Sequence, residues 1–367
     1  MKNVTRREFL EKIGVGTAAL STLPTLAVNF NDDSKKLNIA LCGLGRYAGY
    51  LADSFQDAKY CRLAGIITGT PAKAEDYKKR FGIPQKNIYN YQNFDEIVNN
   101  IDIDLVYVVL PNSMHKEFTI RAAKAGKHVI VEKPMALNAK DCEEMIAVCQ
   151  KMGVQLAVGY RLHFEPYHLE IKRLGQEKVF GQVRLIEVSL GYNLGEPPSS
   201  DWHIKKALSG GGPLINLGVY CVQSCRYVLG EEPISATAQF GPVTHKKAFT
   251  EVEESITWQL QFPSGAVTNS TSAYNFGVDR FYASADEGNF ELSPAVSYGP
   301  FRGKTSKGEL LFPDINQQAT QMDEISKVLL AKQILPSHIT GEEGYKDMKI
   351  IDAIYKAAKT GKRVIIS

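Results

Sequence analysis

Short apolar runs alternate with amphipathic segments over the first part of the chain. The apolar runs, which are rich in β-branched residues, span 37–42, 62–67, 105–110, 128–131 and 155–158. Helical patterns lie between them, for example at 116–125 and 139–152. Runs without polar alternation predict strands that are buried on both faces, as in a parallel sheet covered by helices. We therefore predict an α/β domain over residues 35–159.

The pattern changes after Gly159. Strands are predicted at 183–190, 234–240, 256–262 and 266–273, with a hairpin turn between the last two. Trp258 and Leu260 alternate with polar neighbours, which indicates a sheet with one buried and one polar face. Residues 160–367 are therefore predicted to form an α+β domain with a large, mainly antiparallel sheet. An amphipathic helix that ends at Gly361 is expected to pack back on either domain.

The first 34 residues have the composition of an export signal. Arg6 and Arg7 precede a Gly- and Ala-rich apolar stretch, residues 13–26, and the small residue Ala27 follows it. Positive residues, a short apolar core and a small residue are the parts of a twin-arginine leader. We therefore expect a periplasmic or otherwise exported protein with a short mature segment before its first strand. An ordinary amphipathic helix is the alternative.

Composition argues against several classes of function. The net charge is +3, and no basic stripe or aromatic-interleaved cluster favours nucleic acid as a partner. No apolar run is long enough to predict a membrane span. The six cysteines and seven histidines show no metal-ligand spacing, so no metal site is expected.

The first apolar run ends in a glycine-rich turn. Residues 43–48 read Gly-Leu-Gly-Arg-Tyr-Ala, a GxGxxA pattern directly before a predicted helix. In such a turn the second glycine lets a pyrophosphate approach the backbone N–H groups of the helix N-terminus. The context predicts a Rossmann dinucleotide-binding domain, and a tight turn without a ligand is the alternative. The predicted cofactor contacts here are Gly43, Leu44, Gly45, Arg46 and Tyr47.

The end of the second strand favours NADP over NAD. NAD enzymes usually place an acidic residue there, about 20 residues after the glycines, to bind the ribose 2′-hydroxyl. This chain has Thr68-Gly69-Thr70 instead. Arg46 and Lys73 would hold a 2′-phosphate, and Thr68 would donate a further hydrogen bond. Plain solvated charge is the alternative for the two basic residues.

A lysine follows the fourth apolar run. Lys133, in Glu132-Lys133-Pro134, lies at the carboxyl end of a predicted parallel strand, where ligands bind in open α/β sheets. The preceding run ends at the same edge of the sheet. These segments are predicted to form the floor of a nicotinamide site. The predicted contacts are Leu110, Pro111, Asn112, His115, Glu132 and Lys133.

A second glycine-rich segment lies in the second domain. Residues 210–213 precede Asn216 and Tyr220, which are four positions apart and would share one face of a helix. Lys133 and Tyr220 form a candidate acid/base pair, because a nearby ammonium favours the phenolate and eases proton transfer as hydride moves.

Together these motifs resemble those of the Gfo/Idh/MocA dehydrogenase superfamily, and within it the glucose–fructose oxidoreductases. The resemblance runs from the cofactor turn nearly to the C-terminus. It depends on residues 43–48, 110–113, 125–128, 132–134, 159–161, 210–220, 226–230 and 341–344. It implies a sugar substrate and tightly bound NADP, with Lys133 at the reacting hydroxyl and nicotinamide and Tyr220 as the acid/base. It also implies substrate contacts by Tyr160, Arg161, Trp202 and Asn216, and packing at the domain interface is the alternative for the first three.

Two departures from the family pattern change these expectations. Asn216 stands where the family motif has Asp, and an amide can hydrogen-bond a sugar hydroxyl but cannot take its proton. The segment before the first strand is too short for the long arm that embraces a neighbouring subunit in glucose–fructose oxidoreductase. We therefore expect a homodimer through the exposed sheet face, or a homotetramer.

Three functions fit the sequence. The first is an exported NADP-dependent sugar oxidoreductase, in which hydride passes from C1 of an aldose, or from another sugar hydroxyl carbon, to NADP and from NADPH to a second carbonyl sugar. The second is a redox-assisted glycosidase that oxidises C3 transiently, which Asn216 leaves open. The third is a non-catalytic NADP and sugar sensor, against which Lys133 and Tyr220 argue.

Overall fold

The computed structural model describes residues 35–366, so the export signal predicted for residues 1–34 lies outside the described part. Within that part, the first sheet contains β1 (Leu37–Cys42), β2 (Cys61–Ile67), β3 (Ile88–Tyr89), β4 (Leu105–Val108), β5 (His128–Val131) and β6 (Leu156–Val158). All of these strands are parallel, in the order β3-β2-β1-β4-β5-β6. The predicted parallel sheet is confirmed.

Four helices flank this sheet within the described residues: α1 (Arg46–Ser54), α2 (Pro71–Phe81), α3 (Asn112–Lys124) and α4 (Ala139–Met152). The local sequence sets their ends. At the start of α4, the side chain of Asn138 accepts the N–H of Asp141. Gly153 ends the same helix with a left-handed φ of 67°, which glycine adopts without strain. The bounds of α4 match the prediction.

The second sheet is mainly antiparallel, as predicted. Its described strands are β7 (Val183–Gly191), β8 (Ser235–Phe240), β9 (Ser255–Gln261), β10 (Val267–Ala273), β11 (Val278–Ala285), β12 (Gly288–Leu292), β13 (Gly303–Thr305), β14 (Gly308–Leu310) and β15 (Val364–Ile365). Their order is β14-β13-β12-β11-β7-β10-β9-β8-β15, and β7 and β10 pair in parallel. On β9, Trp258 and Leu260 are buried while Thr257 and Gln259 are exposed, which confirms the predicted two-faced strand.

Helices of the later chain pack against both sheets. They are α5 (Pro166–Gln176), α6 (Lys206–Ser209), α7 (Val219–Leu229), α8 (Gln317–Leu330) and α9 (Gly341–Thr360). A π-helical turn, Leu214–Gly218, runs directly into α7. Short 3₁₀ turns cover Gln85–Asn87, Phe94–Asn99, Arg161–Phe164, Trp202–Ile204 and Ser337–Ile339. Among the described residues, no helix combines the length and the apolar character needed to cross a membrane.

The two C-terminal helices complete the core of the first domain. Met322 and Ile325 of α8 lie in the same apolar cluster as Ile39 and Leu41 of β1. The carboxylate of Asp323 accepts backbone N–H groups at the start of β2, at 2.8–3.0 Å. Helix α9 packs on α4 in the first domain and on β8 in the second.

Candidate active site

The turn between β1 and α1 has the backbone that a pyrophosphate needs. Gly43 has a φ of 96°, and a Cβ there would lie 2.3 Å from the carbonyl oxygen of Val109, so only glycine fits. A Cβ on Gly45 would meet nothing within 4 Å, and no side chain caps this end of α1 within the described part of the protein. The first N–H groups of α1 are therefore accessible to an anion.

Lys73 and Thr68 lie beside the glycine-rich turn. The Nζ of Lys73 donates to the carbonyl oxygen of Leu44 in the glycine-rich turn, at 2.9 Å. Thr68 is buried directly after β2 and accepts the N–H of Thr70. A cation therefore lies beside the turn, and the segment directly after β2, residues 68–70, contains no acidic side chain.

Arg46 contacts a tyrosine one turn further along α1. Its Nε donates to the hydroxyl of Tyr50, at 3.1 Å, and its charge lies within electrostatic range of Tyr192 and Tyr298 in the second domain. Arg46 is exposed and is the first residue of α1, so its guanidinium is accessible to an anion that binds at this end of the helix. Tyr47 is half-buried, and burial raises its pKa above the ordinary value.

Lys133 and Tyr220 come together from the two domains. The Nζ of Lys133 donates to the backbone carbonyl of Asn216 at 2.9 Å and lies 4.7 Å from the centre of the Tyr220 ring. Lys133 follows β5, and its bond to Pro134 is cis. Tyr220 lies in the first turn of α7 and is 8% exposed. An amine and a phenol at this distance have the chemistry of a proton-transferring pair.

The amide of Asn216 has a fixed orientation. Its Nδ2 donates to the hydroxyl of Tyr274 at 2.6 Å. Since the amine side of the amide is bonded in this way, its Oδ1 is the group that remains to accept a hydroxyl from a ligand.

A buried carboxyl group holds the start of the π-helical turn. The carboxyl oxygens of Glu253 accept the N–H groups of Gly212 and Leu214, at 3.1 and 3.2 Å, and the hydroxyl of Tyr355, at 2.8 Å. A Cβ on Gly211 would lie 1.9 Å from the oxygen of Tyr355, so the glycine admits this close approach. Burial raises the pKa of Glu253. These contacts orient the segment that carries Asn216 and Tyr220.

Arg161 is a second positive group near Tyr220. Its guanidinium carbon lies 5.4 Å from the centre of the Tyr220 ring and 4.5 Å from that of Tyr298. The side chain is 3% exposed and donates to Gln317 and to the backbone carbonyl of Val296. Arg161 therefore lies at the phenol, although its terminal nitrogens bond to protein groups.

Glu132 and His115 hold the loops of the predicted nicotinamide floor. Glu132 accepts the hydroxyl of Tyr107 at 2.6 Å, and burial raises its pKa. Both ring nitrogens of His115 face backbone carbonyls, those of Pro134 at 2.9 Å and Leu110 at 2.8 Å, and burial lowers its pKa. The two side chains thus fix the loops after β4 and β5 from within the protein.

The remaining floor residues also make contacts within the protein. The Nδ2 of Asn112 donates to the carbonyl of Ser209 at 2.8 Å, which joins α3 to the segment before the π-helical turn. Pro111 precedes the first residue of α3. Leu110 is 8% exposed and lies against the site where a Cβ on Gly43 would be.

Tyr160 and Trp202 differ in their surroundings. Tyr160 is 1% exposed and donates to the buried carboxylate of Asp347 at 2.6 Å, so its hydroxyl is directed into the interior. Packing, and not substrate contact, is therefore its role. Trp202 is half-buried and stacks on His203, with ring centres 3.9 Å apart. Part of its ring remains accessible.

Sequence reasoning missed a group of tyrosines around the cleft. Tyr192 and Tyr274 have ring centres 5.4 Å apart. They directly follow β7 and β10, whose last residues are paired in parallel. That parallel pairing was the missing signal, because it brings the two tyrosines to the same edge of the sheet. Tyr298 lies in the loop after β12, where the sequence has no periodic pattern that could have indicated its position. Within residues 35–366, no cluster of three metal-binding side chains occurs.

Comparison with known proteins agrees with this geometry. Residues 37–160 match the Gfo/Idh/MocA oxidoreductase family with its NAD-binding Rossmann fold, and residues 168–291 match the C-terminal domain of the same family. The structure is similar to that of aldose-aldose oxidoreductase from Caulobacter crescentus in complex with glycerol, with 39% identity and a TM-score of 0.87 over 90% of this chain and 100% of that chain.

Curated relatives include the NADP⁺-dependent D-xylose 1-dehydrogenase of Haloarcula marismortui, 25% identical over 89% of this chain and 92% of the relative. D-glucoside 3-dehydrogenase of Escherichia coli is 25% identical over 90% and 98%. With matching models for both domains and a similar structure over nearly its whole length, the chain belongs to the Gfo/Idh/MocA family of oxidoreductases.

Proposed function

We propose that this protein oxidises one aldose at C1 and reduces a second carbonyl sugar through NADP(H) that stays bound between the two steps. The observation that carries the proposal is the meeting of the Lys133 amine and the Tyr220 phenol from opposite domains. The similarity to an aldose-aldose oxidoreductase and to an NADP⁺-dependent xylose dehydrogenase supports the choice of substrate and cofactor.

The residues around the glycine-rich turn fit this cofactor. The N-terminus of α1 and Arg46 would hold the pyrophosphate, while Lys73 and Thr68 would hold the 2′-phosphate. When bound, the nicotinamide accepts hydride from the first sugar and returns it to the second.

Side chains of the protein transfer the proton of the reacting sugar hydroxyl. Lys133 donates a hydrogen bond to the reacting oxygen of the sugar, and Tyr220 takes the proton from that oxygen as C1 loses its hydride. The charges of Lys133 and Arg161 stabilise the Tyr220 phenolate that accepts this proton and becomes the neutral phenol. The Oδ1 of Asn216 accepts a neighbouring sugar hydroxyl and orients the ring. In the second half-reaction Tyr220 returns the proton to the carbonyl oxygen of the acceptor, so that one lactone and one alcohol result.

The test uses the purified protein and the absorbance of its own cofactor. A single aldose should reduce the bound cofactor, a second sugar should reoxidise it, and turnover should continue without added NADP. Lys133→Ala should abolish both changes. Turnover that requires added NADP in every cycle would contradict the resident cofactor and leave a simple dehydrogenase. Unchanged turnover by Lys133→Ala would remove Lys133 from the mechanism, while a wild type whose bound cofactor no sugar reduces would favour the sensor function.

Asn216 favours one other candidate function. Asn216 is a neutral amide where the family has a carboxylate, and this difference is compatible with reaction at a sugar carbon other than C1. D-glucoside 3-dehydrogenase is among the relatives. Transient oxidation at C3 would acidify the hydrogen on C2 and permit elimination of the group bonded to C1. Release of nitrophenol from nitrophenyl glycosides would support this candidate, and inert glycosides would remove it.

Export and dimerisation remain parts of the proposal. Replacing both Arg6 and Arg7 by Lys should retain the protein in the cytoplasm, as fractionation of cells would show. The outer face of the second sheet forms a shallow polar depression, lined in part by Glu187, Gln259 and Arg280, and we expect a second copy to cover it. Light scattering of the purified protein would measure the subunit number.

A further inference from the structure

The loop after β12 is held by hydrogen bonds at residues 295–297, of which 295 and 296 are buried. The carboxylate of Asp279 accepts the N–H groups of residues 295–297, at 2.7–3.0 Å. Arg161 donates to two carbonyls of the same segment, and the ring of His168 lies 2.6 Å from a third. Hydrogen bonds to charged groups are stronger than neutral ones, so this backbone is well fixed.

The same loop presents one exposed aromatic side chain. Tyr298 is 56% exposed, although the backbone before it is fully engaged. Its ring lies against the guanidinium of Arg161, at 4.5 Å, and 5.7 Å from the ring of Tyr50 on α1. Tyr50 in turn accepts a hydrogen bond from Arg46 at the glycine-rich turn. An exposed ring on a well-fixed backbone is preorganised to contact a ligand that binds in the cleft.

Tyr298 lies between two points that a dinucleotide must reach. On one side is the N-terminus of α1, where the pyrophosphate would bind, one helical turn before Tyr50. On the other side is the catalytic phenol of Tyr220, which shares the guanidinium of Arg161 with Tyr298. The contact between Tyr298 and Tyr50 also joins the second domain to the cofactor-binding helix.

We propose that Tyr298 is a cofactor-binding residue, which covers NADP(H) between its pyrophosphate and its nicotinamide and slows its release. This inference rests on the proposed function only in requiring that the cleft binds NADP(H). Retention of NADP(H) between the two half-reactions would then depend on this loop. The ring contributes by covering the cofactor, so its hydroxyl is dispensable.

The experiment measures cofactor release and not turnover. The wild type, Tyr298→Ala, Tyr298→Phe and the control Phe276→Ala are loaded with NADPH, desalted, and mixed with an excess of an NADPH-consuming enzyme that traps released cofactor. Phe276 has a similar exposure, 42%, in the same domain, and among the described residues it has no ring contact with α1. We expect about tenfold faster release from Tyr298→Ala, which corresponds to about 1.4 kcal/mol and lies at the upper end of what an aromatic ring contact contributes. Tyr298→Phe and Phe276→Ala should stay within about twofold of the wild type.

Three results would overturn the inference. Release from Tyr298→Ala at the wild-type rate would do so, and a higher KM for sugar in that variant would then assign the ring to the substrate. Equally fast release from Phe276→Ala would show general loosening of the domain. A wild type that binds no NADPH at all would contradict the proposed function as well, so the two failures are distinguishable.

Discussion

The candidate site contains two helix N-termini, at the start of α1 and at the start of the π-helical turn. Their backbone N–H groups differ in whether a side chain of the protein satisfies them. The start of α1 has no side-chain cap in the described chain, and Gly45 leaves space in front of it. The start of the π-helical turn is filled from within by Glu253, which accepts two of its N–H groups. Both ends have unsatisfied N–H donors by construction. The first is left for a charged ligand, while the second is satisfied by the protein and positions a catalytic side chain.

The difference also concerns distance along the chain. Residues 43–48 form the first site as one stretch, whereas Glu253 contacts Leu214 from 39 positions away and Lys133 contacts Asn216 from 83 positions away. Binding at the first end therefore depends on backbone shape, and chemistry at the second end depends on long-range packing. Substitutions should separate the two functions.

The largest effect is expected from Tyr220→Phe. Loss of the phenolic proton donor should lower kcat by about 10²–10⁴-fold, the usual contribution of general acid–base catalysis. Affinity for NADP should not change, because the start of α1 is untouched. Steady-state kinetics and cofactor titration measure the two quantities. Tyr227→Phe on the same helix is the matched control, since its hydroxyl makes only a 3.5 Å contact to the carbonyl of His163. A parallel loss of kcat in the control would mean that α7 as a whole had been disturbed.

A pair of glycine substitutions separates binding from folding at α1. Gly45→Ala should weaken NADP binding by about tenfold or more, because the methyl group occupies the phosphate approach, while the free energy of unfolding changes by less than about 0.5 kcal/mol. Gly43→Ala should lower the free energy of unfolding by about 2–4 kcal/mol, since its φ is positive and its Cβ would overlap the Val109 carbonyl. Urea unfolding and cofactor titration distinguish the two. Equal losses of stability in both variants would contradict an open α1 end.

Lys73→Ala should change the choice of cofactor. Removing a charge-assisted contact to the 2′-phosphate should raise the Kd for NADP by about tenfold and leave the Kd for NAD unchanged. Lys79→Ala, an exposed lysine on the same helix α2, removes the same charge without the contact to the turn. Fluorescence titration with both nucleotides would check this. If both affinities fell together in Lys73→Ala, the lysine would be holding the turn instead.

The smallest effect is expected from Glu253→Gln, whose free energy of unfolding relative to the wild type should depend on pH. Burial raises the pKa of Glu253, so the folded protein keeps a proton that the unfolded chain releases near its ordinary pKa of about 4.3. The contribution of this group to stability is therefore present at low pH and is lost as pH rises through the folded pKa. The free energy of unfolding of Glu253→Gln, relative to the wild type, should therefore rise as the pH increases above about 4.3, the ordinary pKa of the group. Chemical denaturation at several pH values would measure it, and a difference that falls with pH would mean that the carboxylate is favoured in the fold.

The sequence predicted one of these ends far better than the other. The strand, turn and helix at residues 37–54 follow from local pattern, and so does the change of architecture after Gly159. The partnership of Lys133 with Tyr220 followed from motif chemistry. Neither Glu253 nor Tyr298 was predictable, because each lies outside periodic elements and meets its partners only in the folded chain.

The segment Gly159-Tyr160-Arg161 shows the limit of motif reasoning. Two neighbouring residues were assigned to one pocket, but Tyr160 bonds to Asp347 in the interior while Arg161 reaches the face of Tyr220. Adjacent side chains in irregular or extended backbone point in different directions, and only the fold decides which one reaches a cleft.

The contribution of α8 to the first domain has a consequence for synthesis on the ribosome. The strands of the nucleotide-binding sheet are translated well before Met322 and Ile325, which share an apolar cluster with Ile39 and Leu41 of β1. Until then the nascent protein displays an uncovered apolar surface, the kind of surface on which chaperones act. An mRNA truncated before α8 would yield a nucleotide-binding domain whose hydrophobic core lacks the side chains of α8.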